Sequence, residues 1–288
     1  MREQEADILI DPDKLGIILA PFGTLSPAAY ATYEAISQAY EKEFFNHPIR
    51  LAFTSRLMRK KLAEREGISV PGLLGALQEM QDLDCRGAVV QSLQIVPGQE
   101  FHQIAELVRS LRPISCSGVP CLGLGLPLLP DLSDCMTVSS LLAALIPRAD
   151  FEIASGEERH KLREAVLLAG HGTGHPSDAL YSLLAGILKK KHRNVFLAGI
   201  EGSVGLEELL PDLKESGAER VRLMPFLLVA GGHAEKDLFG PDPRSWKSIL
   251  EREGYSVLCH HRGLGESPEV LSIFMEHTRS ALEKIKKP

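Results

Sequence analysis

Short apolar runs alternate with amphipathic stretches along the whole chain. The runs occupy residues 16–20, 49–53, 87–90, 119–124, 165–169, 194–199, 221–229 and 255–259. Continuous apolar runs of this length are typical of strands buried on both faces, as in a parallel sheet. The segments between them have helical spacing; residues 177–191, for example, place leucines three or four positions apart and end in three lysines. This alternation predicts an α/β fold with a doubly wound parallel sheet.

The order of these elements repeats in the second part of the chain. Residues 16–24, GIILAPFGT, align with residues 165–173, AVLLAGHGT, and both end in a Gly-Thr turn. Three further matches follow in the same order, pairing residues 50–53 with 195–198, 95–99 with 229–233, and 123–125 with 263–265. We therefore predict two similar α/β halves, residues 1–145 and 146–288, joined around residues 146–156. The carboxyl ends of their strands are expected to face a cleft, where such folds bind ligands.

The two halves differ in the side chains that follow equivalent strands. The matched positions are Phe22 with His171, Thr54-Ser55-Arg56 with Ile200-Glu201-Gly202, and Gln99 or Glu100 with His233. The second half therefore carries two histidines and a glutamate, each after a different strand. Side chains at strand ends are held by rigid elements yet are open to a cleft.

His171, Glu201 and His233 are candidate metal ligands and candidate catalytic residues. Neutral imidazoles bind Co²⁺, Ni²⁺, Fe²⁺ or Zn²⁺, and one carboxylate can complete such a site with coordination positions left open. A histidine beside a glutamate could equally accept protons from a bound ligand. The structural alternatives are a hydrogen-bonded turn histidine and a glutamate that stabilises a helix start.

Composition narrows the class of protein. The 288 residues carry a net charge of −6, which argues against a general nucleic-acid binder. None of the five cysteines forms a CxxC pair, so a disulfide framework or a cysteine zinc site is not expected. The N-terminus lacks a basic start followed by an apolar run, and no apolar run approaches the ~20 residues that cross a bilayer. We therefore expect a cytoplasmic protein without membrane contact.

Other candidate motifs are less specific. The glycine-rich turn at residues 170–174 could bind an anion through backbone N–H groups. Arg56 and Arg59 belong to a basic cluster after the second apolar run, which is either a solvated helix face or a partner for ligand carboxylates. Neither a GxxxxGK[ST] loop nor a GxSxG elbow is present, so these nucleotide and hydrolase signatures are unsupported.

These residues together resemble the class II tetrapyrrole chelatases, and specifically the CbiK-type anaerobic cobalt chelatases. The resemblance extends from residues 19–24, LAPFGT, to residues 263–268, GLGESP. Its most specific parts are residues 170–173 (GHGT), 227–237 (LLVAGGHAEKD) and 245–250 (SWKSIL).

The resemblance implies two flavodoxin-like halves, each a parallel sheet flanked by helices, around a porphyrin-sized cleft. The implied reaction is ATP-independent insertion of Co²⁺ into sirohydrochlorin during anaerobic cobalamin synthesis, and the family's metal-handling residues match His171, Glu201 and His233. The expected substrate-binding residues are Phe22, Gly23, Thr24, Arg56, Arg59, Gly172 and Thr173.

The resemblance also implies the ligands. They are a tetrapyrrole and a divalent metal ion, with no permanently bound cofactor. Some relatives with a signal peptide bind heme, but no signal peptide is expected here, so a heme site is not carried over. The net charge argues against nucleic acid as a ligand. A homo-oligomer is compatible with the sequence. Three alternatives stay open: a ferrochelatase acting on sirohydrochlorin or a porphyrin, a non-catalytic tetrapyrrole or metal carrier, and a bilobal small-molecule binding module.

Overall fold

The apolar runs form eight parallel strands within the part of the chain that the structure describes. That part of the computed structural model comprises residues 14–111, 121–145, 163–192, 194–232 and 234–286. The strands are β1 (Leu15–Ala20), β2 (Ile49–Leu51), β3 (Gly87–Ser92), β4 (Cys121–Gly125), β5 (Glu164–Gly170), β6 (Val195–Gly199), β7 (Arg220–Phe226) and β8 (Ser256–Cys259).

Helices connect the strands. They are α1 (Pro27–Glu43), α2 (Arg56–Glu66), α3 (Leu73–Asp82), α4 (Gln99–Leu111), α5 (Leu132–Leu145), α6 (Ala179–Lys191), α7 (Leu206–Glu215), α8 (Trp246–Arg252) and α9 (Pro268–Lys286). Short 3₁₀ turns occupy Pro176–Asp178 and Leu264–Glu266, and a π-helical turn occupies Ala234–Leu238. Over these residues, every helix is too short or too polar to cross a bilayer.

The strands build two separate sheets of identical topology. Their orders are β2-β1-β3-β4 and β6-β5-β7-β8, and every pairing is parallel. This confirms the predicted α/β fold of two similar flavodoxin-like halves. Because all strands of a sheet point the same way, the loops after them lie at one edge, where ligands bind in such folds.

Both faces of each sheet are covered, which explains the continuous apolar runs. In β1, Ile17 and Leu19 point into one core while Ile18 and Ala20 point into another, and all four are buried. The outer faces pack against α3 and α4 in the first half and α7 and α8 in the second. The inner faces share one continuous core with α1, α5, α6 and α9.

The last helix of each half packs on the other half. Helix α5 follows the first sheet in the chain but packs against α6, and α9 follows the second sheet but packs on β3 and β4. Gly123 of β4 leaves room for α9, because a methyl group there would lie 2.7 Å from Ile285 Cδ1. The two sheets are therefore joined by exchanged helices as well as by the chain between them.

A buried polar network fixes α9 on the first sheet. Thr278 Oγ1 donates to Gln91 Oε1 at 2.9 Å and lies 3.2 Å from the Tyr40 hydroxyl. The Gln91 amide in turn donates to the carbonyl oxygens of Ser92 at 2.7 Å and Leu126 at 2.8 Å. Tyr40, Gln91 and Thr278 are fully buried, so each of these polar atoms depends on its partner.

The match between residues 50–53 and 195–198 is shifted by one position. β1 pairs Ile17 with Ile49, and β5 pairs Val166 with Val195. Ile49, rather than Arg50, is therefore the counterpart of Val195. Apolar runs define a strand well but its register poorly, because neighbouring apolar residues are interchangeable in a strand buried on both faces.

The match between residues 123–125 and 263–265 is wrong. Gly123 lies inside β4, whereas Gly263 follows the end of β8. The two glycines serve different packing needs: Gly123 faces Ile285, while a methyl group on Gly263 would lie 2.6 Å from the Leu228 carbonyl oxygen. The shared Gly-Leu-Gly sequence is therefore not a structural repeat.

Candidate functional site

His171 and Glu201 follow adjacent strands, and their backbones are hydrogen-bonded to each other. Glu201 N–H donates to the His171 carbonyl oxygen at 2.7 Å, just beyond the paired ends of β5 and β6. In the first half, Ser55 N–H donates to the Phe22 carbonyl oxygen at 3.1 Å. This equivalence confirms the alignment of Phe22 with His171 and of Ser55 with Glu201.

The two loops approach so closely that position 172 must be glycine. Gly172 has a φ of 72°, and a methyl group there would lie 1.4 Å from the Glu201 carbonyl oxygen. Gly23, its counterpart, also has a positive φ, 112°. Beneath them the hydroxyls of Tyr33 and Tyr181 hydrogen-bond with the Gly23 and Gly172 backbones, and burial raises the pKa of both phenols.

Asp178 joins the two loops from below. Its Oδ1 accepts a hydrogen bond from Thr173 N–H at 3.0 Å. Its Oδ2 accepts from Ser203 N–H at 2.9 Å and from the Ser203 hydroxyl at 2.6 Å. From the sequence, residues 177–178 predict only a helix start, because nothing local indicates that the carboxylate reaches a loop 25 residues further along.

His233, the third predicted ligand, lies outside the described residues. The imidazole of His171 is half-buried with Nδ1 3.1 Å from the Gly172 carbonyl oxygen, and the Glu201 side chain is exposed. Among the residues that the structure describes, no group of three or more His, Cys, Asp or Glu side chains could hold a metal ion. His171 and Glu201 remain candidate metal ligands, with His233 as the third predicted member.

Equivalent segments after the strands of the two halves contact each other along a pseudo-symmetric boundary, which we call the seam. On one side, Ser26 Oγ donates to Glu235 Oε1 at 3.2 Å. On the other, the rings of His102 and His175 lie with centroids 5.0 Å apart. Because both contacts join a loop of one sheet to a loop of the other, the carboxyl ends of the strands face each other in the described structure.

The seam contains a carboxylate of the first half beside residues of the second. A methyl group placed on Gly98 would lie 3.9 Å from the Thr173 and Ser177 hydroxyl oxygens and 3.8 Å from Glu100 Oε2. Thr24 of the first half is placed like Thr173 of the second. A methyl group on Gly231 would lie 3.2 Å from Thr24 Oγ1, just as one on Gly98 would lie near Thr173 Oγ1. The Glu100 side chain is exposed there.

The backbone hydrogen bonds also identify the counterpart of position 233. Gly98 N–H donates to Val96 O at 2.8 Å, and Gly231 N–H donates to Val229 O at 3.1 Å. Gly98 therefore pairs with Gly231, and counting two residues onward sets Glu100, rather than Gln99, against His233. The five-residue match between residues 95–99 and 229–233 was one position out of register.

The predicted substrate-binding residues lie in the loop after β1, in the loop after β5 and on α2. Phe22 is 46% exposed, whereas Thr24 is buried and accepts a hydrogen bond from Ser26 N–H at 3.1 Å. Gly172 and Thr173 lie in the loop that carries His171, and Arg56 is exposed at the first turn of α2.

Arg59, which is also on α2, lies against the start of α3. A methyl group on Gly72 would lie 2.8 Å from Arg59 Cζ. Arg59 Nε is buried and has no hydrogen-bond partner within the described ranges, and the same holds for Thr54 Oγ1. The structure therefore brings His171, Glu201, Gly172 and Thr173 together and leaves Arg59 at the edge of the first sheet.

Comparison with known families identifies the chain as a family member. The model of the family described as Cobalt chelatase (CbiK) matches residues 15–283. This chain belongs to that family. The cobalt chelatase fold thus accounts for both sheets, the loops that carry His171 and Glu201, and most of α9.

Two curated relatives align with most of this chain. The sirohydrochlorin cobaltochelatase CbiKC of Nitratidesulfovibrio vulgaris is 33% identical over 272 residues, which are 94% of this chain and 92% of the relative. The sirohydrochlorin cobaltochelatase of Salmonella typhimurium is 31% identical over 231 residues, 80% of this chain and 82% of the relative. The solved structure of SirB from Bacillus subtilis with Fe³⁺ shares the fold, with a TM-score of 0.64, 13% identity and coverage of 95% and 97%.

Proposed function

We propose that this cobalt chelatase family member is a sirohydrochlorin cobaltochelatase, which inserts Co²⁺ into sirohydrochlorin without ATP. The observation that carries the proposal is the pair of backbone-linked loops that set His171 beside Glu201 at the carboxyl ends of β5 and β6. The family match over residues 15–283 supports it. Both curated relatives described above are named for this reaction.

In the proposed mechanism, His171 and His233 bind Co²⁺ through neutral imidazole nitrogens, with Glu201 beside them. The metal then forms bonds to the macrocycle nitrogens while two pyrrole protons leave, so charge balances without a redox step. His171 and Glu201 are the proposed acceptors of those protons. Histidine serves both purposes only when it is neutral, so metal binding and proton removal compete for the same nitrogen.

Glu100 is a second proposed carboxylate at this site. It is the counterpart of His233 in the first half, and its carboxylate lies on the seam beside the Thr173 loop. A carboxylate supplied by the opposite half is suited to act on the other side of a flat macrocycle held between the two halves. It could offer oxygen to the metal or accept a pyrrole proton.

The proposed substrate surface combines an apolar patch with basic groups. The exposed ring of Phe22 offers an apolar face to the macrocycle, in the place that His171 occupies in the other half. The guanidinium groups of Arg56 and Arg59 are suited to pair with the peripheral carboxylates of sirohydrochlorin. Backbone N–H groups of Gly172 and Thr173 are further donors in the same loop region.

Anaerobic incubation with sirohydrochlorin and Co²⁺, Fe²⁺ or Ni²⁺, each alone, tests this proposal. We expect catalytic insertion of Co²⁺, seen as a shift of the visible absorption bands over many turnovers, at a rate above those for Fe²⁺ and Ni²⁺. A faster Fe²⁺ reaction would support a ferrochelatase instead. A stoichiometric titration without turnover would identify a carrier.

Variants of the same protein test the residue roles. His171→Ala is expected to lower kcat/KM about 100-fold or more, because it removes both a metal ligand and a proton acceptor. The kcat/KM values of Glu201→Gln and Glu100→Gln show which of the two carboxylates the reaction depends on more. His47→Ala is the control, since His47 Nδ1 contacts the Leu15 carbonyl oxygen at the opposite end of β1. Insertion by His171→Ala at the parent rate would contradict the assignment.

A further inference from the structure

The loops that carry His171 and Glu201 both hydrogen-bond to the side chain of Asp178. Asp178 is 9% exposed and uses one carboxylate oxygen for each of the two loops. Oδ1 binds Thr173 N–H, two residues after His171, and Oδ2 binds Ser203, two residues after Glu201. A single rigid carboxylate therefore spans the two loops that carry the candidate metal-handling residues.

The loops leave little freedom for any other arrangement. A methyl group on Gly202 would lie 2.5 Å from Asp178 Oδ1, and Gly202 has a φ of 107°. The chain thus passes directly over the carboxylate between Glu201 and Ser203. Displacing the carboxylate would move the backbone on either side of it, and with it the side chain of Glu201.

The first half lacks this device. Counting from the equivalent glycines, Gly23 and Gly172, sets Ala29 at the place of Asp178, whereas counting from the equivalent tyrosines, Tyr33 and Tyr181, sets Tyr30 there. Ala29 is buried and apolar, and Tyr30 carries a phenol, so neither residue supplies a carboxylate. Because the two halves have the same topology, the fold itself does not require the carboxylate. It is present in the half that carries His171 and Glu201 and absent from that position in the half that carries Phe22 and Ser55.

We propose that Asp178 is the positioning residue that sets the spacing of His171 and Glu201 for Co²⁺ binding. The inference rests on the proposed function, since it takes these two residues as the ones that handle the metal. The chemistry is specific to a carboxylate. Both its oxygens are acceptors, and they meet two backbone N–H groups and one hydroxyl, all of which can donate.

The variant Asp178→Asn keeps the volume of the side chain but turns one acceptor into a donor. The amide NH₂ then faces a backbone N–H of one loop, and that loop must move away. We expect the dissociation constant for Co²⁺ alone, titrated into the metal-free full chain without tetrapyrrole, to rise about 10- to 100-fold. The KM for Co²⁺ should rise with it, while the KM for sirohydrochlorin stays within about twofold.

Two further variants keep the test decisive. Ser203→Ala removes only the hydroxyl donor at 2.6 Å and keeps the Ser203 N–H, so it should fold and give a smaller rise in the same two constants. Asp212→Asn is the matched control, because Asp212 pairs with Lys189 at 2.7 Å on the surface of the same half. We expect it to bind Co²⁺ as the parent does.

The outcomes separate this proposal from the proposed function. Co²⁺ binding by Asp178→Asn and Ser203→Ala at parent affinity, with only a lowered urea midpoint, would overturn the positioning role and leave the chelatase proposal standing. A parent that binds Co²⁺ but never inserts it would overturn the function, while weaker binding by Asp178→Asn would still support the positioning role. A parent that does not bind Co²⁺ would overturn both.

Discussion

At the scale of single residues, the site is shaped by positions where the backbone allows no alternative. Gly172 is the clearest, because its backbone contacts the Glu201 carbonyl oxygen where any side chain would stand. The same contact keeps the histidine loop and the glutamate loop in register. A sequence motif such as His-Gly-Thr thus records a close approach between two loops as well as the presence of a ligand.

A titratable residue at the end of β8 makes a prediction about acid stability. Burial, together with the charges of Arg262 and Arg222, lowers the pKa of His260 below 6.5. The folded protein therefore binds fewer protons at this site than the unfolded chain does. The stability that this contributes is present above pH 6.5 and is lost as the pH falls through 6.5 towards the folded pKa.

We expect His260→Gln to lose less stability than the parent when the pH is lowered from 7.5 to 5.5. Urea unfolding at both pH values measures the difference. His261→Gln replaces the exposed neighbouring histidine, whose charge contributes least to the lowered pKa of His260, and should therefore reduce the acid loss by less than His260→Gln does. Equal acid loss in the parent and in His260→Gln would refute the prediction.

Residue identity and position after a strand single out candidate ligands, but they do not predict the hydrogen bonds that hold the loops around them. His171 and Glu201 were found because each follows an apolar run and differs from its counterpart in the repeat. Asp178 was assigned only to a helix start, since its partner Ser203 is distant in the sequence. Long-range hydrogen bonds of this kind leave no local pattern, whereas strand ends do.

At the scale of elements, α9 depends on polar as well as apolar contacts. The Thr278 hydroxyl of α9 donates a hydrogen bond to Gln91 Oε1 in the centre of the first sheet. The Tyr40 hydroxyl of α1 lies within hydrogen-bond distance of Thr278 Oγ1. Buried polar atoms without partners are costly, so the network specifies one position of α9 on the sheet.

Replacing Thr278 with valine keeps its shape and removes the hydroxyl. We expect Thr278→Val to lower the free energy of unfolding by about 1–3 kcal/mol, because Gln91 Oε1 loses its buried donor. Thr137→Val on α5 is a matched control, since within the described ranges Thr137 Oγ1 makes only the exposed bond to the Ser133 carbonyl oxygen. It should change stability by less than about 0.5 kcal/mol. Equal stability of Thr278→Val and the parent, in urea unfolding, would show that the network is not needed.

The strands were predicted well, because the sequence of each segment is enough to indicate a buried strand. All eight described strands overlap the apolar runs, because continuous apolar segments bounded by turns are typical of buried parallel strands. The partner of each helix was not predictable in the same way. The apolar faces of α5 and α9 predict that these helices are buried. They do not predict which sheet each helix packs against.

At the scale of the whole molecule, the internal repeat predicted more than any single motif. It gave two sheets of equal topology and the equivalence of Phe22 with His171, both of which the backbone pairing confirms. It failed at residues 123–125, where a shared tripeptide serves unrelated contacts. A repeat thus predicts architecture through many weak matches, and any one of them can be accidental.

Helices α5 and α9 each pack on the half to which they do not belong in the sequence. Each half contributes its last helix to the packing of the other, so peptide continuity between residues 145 and 163 is not the main link between them. The protein should therefore behave as a self-complementing pair of fragments.

A protease site inserted within residues 146–162 tests this behaviour. After cleavage we expect the two fragments to elute together at the size of the intact chain, held by the common core of α1, α5, α6 and α9. They should separate only in urea. Fragments that elute apart in native buffer would show that the exchanged helices do not suffice to join them. Cohesion of this kind would let the two sides of the cleft adjust around a macrocycle without coming apart.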